Sequence, residues 1–291
     1  MENKPMFHDK SSAFKFFLFL LIFLIWTAIG YAIAGGLMIL KGDDAATLRL
    51  VQGLSAVCMF VMPPICHYLL TRDTPLAALG LCRTRPSLYL TATLLFLASI
   101  PFVSWLTEWN EGMKLPESLK SLEAIIREME DMAQAETEKM LNTDTIGGLM
   151  ANLTVIALIA AVGEELTFRG VLQPWLTKAC RNPHLGIVLG AIVFSAIHMQ
   201  FYGFVPRLVL GIVLGYTAYV SRSLWPSILI HFLNNATTVV VMFLVHKGIL
   251  DIKMEEIGST NLVGTILSAL ATIAILIFMW KKQNATTDKL S

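Results

Sequence analysis

The chain gathers its apolar residues into long, nearly uninterrupted runs, and a run such as FKFFLFLLIFLIWTAIGYAIAGGLMIL, from Phe14 to Leu40, leaves few folds open. A helix needs about 17 to 25 consecutive apolar residues to cross the hydrocarbon core of a bilayer. About eight stretches qualify, at residues 14–40, 46–70, 87–108, 146–178, 184–201, 205–221, 224–246 and 259–280. Only 15% of the residues are charged and 55% are hydrophobic, against roughly 25% charged in a soluble domain. The expected fold is all-α: a polytopic transmembrane helix bundle of about eight spans, with an outer amphipathic helix between spans three and four.

The expected organisation has four parts. Residues 1–110 supply N-terminal transmembrane helices, 111–145 an extramembrane acidic amphipathic segment, 146–246 a second membrane domain that carries polar residues within its spans, and 247–291 a final transmembrane helix and cytoplasmic tail. Within the acidic segment Leu119, Leu122, Ile126, Met129 and Ala133 recur at helical spacing, as in a helix that lies on the membrane surface or caps the bundle. A solvated loop helix is the plainer alternative.

Net charge is only +1, but it is unevenly placed. A cytoplasmic amino terminus puts Lys4, Lys10, Lys15, Arg72, Arg83, Arg85, Lys178, Arg181, Arg222, Lys281, Lys282 and Lys289 inside, and the acidic segment outside. Lysine and arginine set orientation. The expectation is therefore a multi-pass protein of the cell membrane with both termini cytoplasmic. The first apolar run exceeds the 7 to 15 residues of an ordinary signal peptide core, so a retained signal anchor is expected, with a cleaved signal peptide ending near Ala32-Ile-Ala34 as the alternative. Cys58, Cys66, Cys82 and Cys180 form no CxxC pair and read as small core residues. Gly-Ile-Val-Leu-Gly occurs at 186–190 and 211–215, which favours close helix packing.

Against this apolar background, Glu164 and Glu165 stand together with Arg169 inside a span. A carboxylate at membrane depth costs several kcal/mol unless it is neutralised, paired or facing water. Further along, His198 and the His231/Asn235 pair also fall inside spans. At about 1.5 Å of rise per residue from the cytoplasmic helix ends, Glu164 and His198 lie roughly 20 Å deep, His231 roughly 11 Å and Asn235 roughly 17 Å. Residues four apart share a helix face and neighbours diverge by about 100°. Glu165 and Arg169 therefore face together as an ion pair, while Glu164 points elsewhere. Its placement suits a general base or acid. His231 and Asn235 project from one face as donors able to stabilise an oxyanion.

Glu-Glu-x3-Arg, Phe-x3-His (Phe194, His198) and His-x3-Asn, in that order, resemble the CPBP family of intramembrane proteases, the CAAX protease or Abi family, with type II CAAX prenyl endopeptidases among them. EELTFRGVLQPWL and RSLWPSILIHFLNNA extend the resemblance over about residues 147–245. It implies an intramembrane endopeptidase in which Glu164 and His198 activate water, His231 and Asn235 bind the oxyanion, and Glu165, Arg169 and Phe194 support the site. It also implies a peptide or protein substrate, membrane-associated or lipidated ones included, and an opening towards the cytoplasm in members that process CAAX sequences.

Glu164, His198 and His231 supply the one carboxylate and two imidazoles of several catalytic zinc sites. Neither HExxH nor HxxEH is present, and the three come from separate helices. A metal-free glutamate mechanism is favoured and zinc is the alternative cofactor. Two other function classes compete. A transporter or proton relay uses the same intramembrane residue types but calls for repeats with broken helices, of which the chain shows no convincing example. A non-catalytic scaffold or immunity protein of the same fold would not need intact motifs. Nothing points to nucleic acid. Arg207 is expected to snorkel to the membrane surface, and Asn152 and Asn234 to bond between helices.

Overall fold

The computed structural model describes residues 5–71, 79–252 and 256–287, and all extended regular structure within them is helical. Lys4, Arg72 and Lys289, used above for orientation, lie outside the described residues. The helices are α1 (Ser12–Lys41), α2 (Ala45–Thr71), α3 (Pro86–Glu111), α4 (Lys120–Leu141), α5 (Ile146–Cys180), α6 (Pro183–Ala196), α7 (Phe204–Ser221), α8 (Trp225–His246) and α9 (Leu262–Thr287). All but α4 and α6 are long and apolar enough to cross a bilayer, seven in number among the described residues. The protein is a multi-pass membrane helix bundle.

The run at 184–201 folds as the 14-residue α6 followed by an irregular turn. At 1.5 Å per residue α6 is about 21 Å long, short of the roughly 30 Å hydrocarbon core. It enters the bundle and α7 returns, so the side on which later helices emerge is the same as for two full spans. The two helices lie close because a Cβ on Gly211 would stand only 3.0 Å from that of Ala191.

Proline within a span removes a backbone donor, and α2 and α3 show how neighbouring helices respond. In α2, Pro64 cannot donate to the Phe60 carbonyl one turn earlier. The helix widens to a π-helical turn over Val57–Val61, and Thr167 Oγ1 of α5 donates to the Phe60 carbonyl at 2.8 Å. In α3, Pro101 is answered by Ser268 of α9, whose Oγ donates to the Ala98 carbonyl at 2.5 Å and accepts from the Phe102 N–H at 3.0 Å. Lipid offers no partner for such groups, so neighbouring helices supply them. Gly163 lets α2 approach: a Cβ there would lie 3.0 Å from both the Phe60 Cβ and a Val61 methyl.

Apolar packing joins the rest. One core unites Ala92 and Leu95 of α3, Val213 and Leu214 of α7, Ile230 of α8 and Met279 of α9. A second gathers Tyr68, Leu166, Ala218 and Ile228 around the segment at Leu79.

Helix α4 closes one end of the bundle with its polar face inward. Glu123 accepts from the Leu115 N–H at 2.9 Å and pairs with Arg127, whose guanidinium also lies 3.9 Å from the centre of the Tyr202 ring. Glu130 Oε1 accepts from the Phe201 and Tyr202 N–H groups at 2.6 and 3.2 Å. Asn110 holds the same turn, donating to the Phe201 carbonyl and accepting from the Val205 N–H. Leu122, Ile125, Met129 and Met132 form an exposed apolar strip, the arrangement of a helix lying at a membrane interface. Asn152 and Arg49 tie the end of α4 to the bundle through the Met140 carbonyl.

Gly163→Val would drive methyl groups into Phe60 and Val61, and overpacking of this kind costs about 1 to 3 kcal/mol. Thermal unfolding in detergent is expected to register a corresponding fall in Tm. Glu123 adds a pH dependence. The Leu115 N–H, with Arg127, holds its carboxyl below the usual glutamate range although burial opposes them. A depressed pKa makes the tie complete above the unfolded carboxyl's pKa and removes it as pH falls through the folded value. Hydrogen exchange should find the Leu115 amide protected near neutral pH and released in acid, and Glu123→Ala should release it at both.

Candidate active site in the membrane

Glu164 sits near the middle of the 35-residue α5, and its neighbour Glu165 diverges from it around the helix. Glu165 is fully buried. Its Oε1 accepts from Arg169 Nη1 at 2.8 Å and from His231 Nδ1 at 3.1 Å, and its Oε2 accepts from the Ser227 hydroxyl. Arg169 spends a further donor on the Gly211 carbonyl at 3.1 Å. Its guanidinium also lies 4.5 Å from the Phe194 ring centre. A buried charge is tolerable when it is paired and hydrogen-bonded. Glu165 meets both conditions using α5 and α8.

The Glu165 bond fixes the tautomer of His231. A carboxylate can only accept, so the imidazole proton sits on Nδ1 in the neutral ring and Nε2 carries a lone pair. That Nε2 faces Glu164 Oε2 at 3.7 Å. Glu164 Oε2 is buried and has no hydrogen-bond partner, while the side chain as a whole is 12% exposed. Leaving a charged acceptor unpaired in this way is costly, and such a group stands out in a folded protein.

His198 follows the last turn of α6, and the chain reverses at Met199 with φ of 54°. Its Nδ1 donates to the Phe194 carbonyl at 2.8 Å, which again leaves Nε2 free to act. Glu164, His231 and Arg207 are the charged or ionisable groups that act on it electrostatically. Phe194 lies between the two imidazoles, with ring centres 5.2 Å from His198 and 5.9 Å from His231, both edge-on.

Asn235 is less free than its spacing from His231 suggests. Its Nδ2 donates at 3.1 Å to the carbonyl of Ile156, inside a π-helical turn of α5 over Leu153–Ile159. An amide nitrogen carries two protons, so one donor is committed to joining α8 to α5 and one is left. Ser227 and Gln173 did not emerge from the sequence, although spacing contained the signal. Ser227 precedes His231 by four residues, and Gln173, which donates to the Gly215 carbonyl at 3.0 Å, follows Arg169 by four.

Beside the cluster, towards α4, lies a cavity of about 540 Å³ bounded by α3, α4, the turn after His198, α7 and α8. Arg207 and Gln200 line it. Arg207 therefore turns into the protein rather than to the membrane surface, because its guanidinium donates to Gln200 Oε1. Among the described residues no three His, Cys, Asp or Glu side chains gather as a metal-ligand set.

Removing the Glu165 carboxylate would strand the Arg169 charge inside the bundle. Breaking a buried pair in this way costs about 3 to 5 kcal/mol. Glu165→Ala is expected to lower Tm sharply and Glu165→Asp much less, as read by thermal unfolding in detergent.

No curated protein and no solved structure matches the chain. A family model does: that of the Rce1-like proteins, described as type II CAAX prenyl endopeptidase Rce1-like, matches residues 146–237. The matched stretch holds Glu164, Glu165, Arg169, Phe194, His198, His231 and Asn235. The match covers less than half the chain and supports placing this membrane segment in the CAAX protease family.

Proposed function

We propose that the protein is an intramembrane endopeptidase that hydrolyses a peptide bond with a water activated by Glu164 and His198. One observation carries this reading. The Glu164 carboxylate is left without a hydrogen-bond partner 3.7 Å from His231 Nε2, while Glu165 occupies the other nitrogen of that ring. An acid and an oriented imidazole are thus poised around a point where neither is satisfied by the protein.

In the proposed reaction a water donates one O–H to Glu164 and the other to His198 Nε2. Glu164 takes the first proton as the oxygen adds to the scissile carbonyl carbon. The oxyanion that forms is met by the remaining N–H of Asn235 and by His231, which donates from Nε2 when the ring carries a second proton besides the one Nδ1 gives to Glu165. The proton on Glu164 then passes to the leaving nitrogen, the C–N bond breaks, and a carboxylic acid and an amine depart. Arg169, Ser227 and Phe194 hold Glu165 and the two rings in place.

The family description adds a substrate class, peptides with a prenylated CAAX end, and we propose it as the first to test. We also propose that the protein lies in the cell membrane with both termini cytoplasmic. The cavity at α4 then opens on the non-cytoplasmic side, so the compartment of α4 decides from which side a peptide end reaches it. Labelling of Glu128→Cys from each side of sealed vesicles assigns α4 to its compartment.

The central test is cleavage of quenched-fluorescence peptides, prenylated and unprenylated, by protein in proteoliposomes. Glu164→Gln and His198→Ala are each expected to lower kcat/KM by about 10²- to 10⁴-fold while Tm stays near that of the wild type. Full activity in either variant would rule the mechanism out. Loss of activity on chelation, restored by zinc, would replace it with a metal mechanism.

A further inference from the structure

The cavity beside the site has a basic group turned into it that the protein leaves partly unsatisfied. Arg207 lies in the first turn of α7, and its guanidinium folds back over Gly203. A Cβ at Gly203 would stand 2.5 Å from Nη2 and 2.7 Å from Cζ and Nη1, so a residue without a side chain makes the seat possible. Nη2 donates to Gln200 Oε1. Nη1 is buried and has no hydrogen-bond partner.

Arg127, which also lines the cavity, is already committed to Glu123, the Met113 carbonyl and the Tyr202 ring. Glu130 is occupied by the Phe201 and Tyr202 N–H groups. Glu130 and Glu164 act on Arg207 through charge, and among the described residues no carboxylate is bonded to it. A guanidinium presents planar, paired donors that match a carboxylate. Glu111, Glu130 and Asp131 also line the wall, so an anion is held only where it bonds the guanidinium directly. The cavity volume of about 540 Å³ is that of a small-ligand pocket, so it takes a chain end or a short segment.

We propose that Arg207 binds a carboxylate of the peptide substrate and holds the chain in this cavity so that the bond to be cut reaches Glu164 and His198. The inference rests on the peptidase reading. It deepens that reading by naming a substrate feature, either the free C-terminal carboxylate or the side chain of an aspartate or glutamate on the leaving side. Gln200, which Arg207 bonds, follows His198 by two residues, so the anchored group sits on the same turn as that imidazole.

The test uses full-length protein and a peptide of about ten residues ending in Cys-aliphatic-aliphatic-Met, prepared as the free acid and as the C-terminal amide. A second pair carries Glu or Gln near the same end. Binding is measured on the non-cleaving Glu164→Gln protein, and cleavage on otherwise wild-type protein. The free acid, or the Glu peptide, is expected to bind about 10- to 100-fold more tightly than its neutral counterpart, the worth of a charge-assisted hydrogen bond. Which pair discriminates identifies the source of the carboxylate. Arg207→Gln should bring that ratio close to one. Gly203→Ala, which displaces the guanidinium without deleting it, should reduce the ratio too and stands in if Arg207→Gln fails to fold. Equal binding of both members of both pairs, or a ratio that survives in the variants, would overturn the proposal, as would an equal fall in cleavage of charged and neutral peptides with the ratio intact. A binding ratio without cleavage by the wild type would remove the peptidase reading and leave the carboxylate site standing.

Discussion

Everything in the polar centre depends on one buried carboxylate. Glu165 accepts from Arg169 on its own helix and from His231 and Ser227 on α8, so three donors converge on the two oxygens of a fully buried side chain. Coulomb attraction at low dielectric is strong enough to hold such a group only when all partners are present. The same bond that neutralises Glu165 orients the His231 ring and turns its second nitrogen to Glu164. Structural satisfaction of one glutamate thus produces the chemical exposure of its neighbour.

The bundle repeats this economy of partners at its prolines. Thr167, two residues from Glu165, answers the carbonyl that Pro64 leaves open in α2, and Ser268 bridges the Ala98 carbonyl and the Phe102 N–H beside Pro101. Hydroxyls from adjacent helices act here as the missing backbone donors. As a result α2 is fixed against α5 at the level of the acidic pair by a hydrogen bond as well as by the absence of a side chain at Gly163.

Much of this was legible in the sequence because membrane insertion writes itself in run length, and because residues four apart must share a face. Those two rules give the bundle, the Glu165–Arg169 pair and the separate direction of Glu164. They do not give the shortness of α6, since the apolar run continues through a turn that α4 and Asn110 hold in place. Nor do they give Asn235's bond to Ile156, which exists only because α8 meets a widened turn of α5. Arg207 departs from the snorkelling expectation for a related reason. Snorkelling is the cheapest course for a long cation near a helix end in lipid, but a cavity and the Gln200 acceptor stand in the other direction. Tertiary neighbours decide such cases, and one sequence does not name them.

Phe194 offers a last consequence. Its ring meets both imidazoles edge-on and lies under the Arg169 guanidinium, although it carries no polar atom in its side chain. His198 and His231 come from different helices, yet they lean on the same rigid disc and so share part of their freedom to rotate. Free-energy changes at the two histidines are therefore coupled through an apolar side chain, and residues in contact through a common neighbour do not have additive effects. The two rings are one thermodynamic unit, with a phenyl group as the hinge pin.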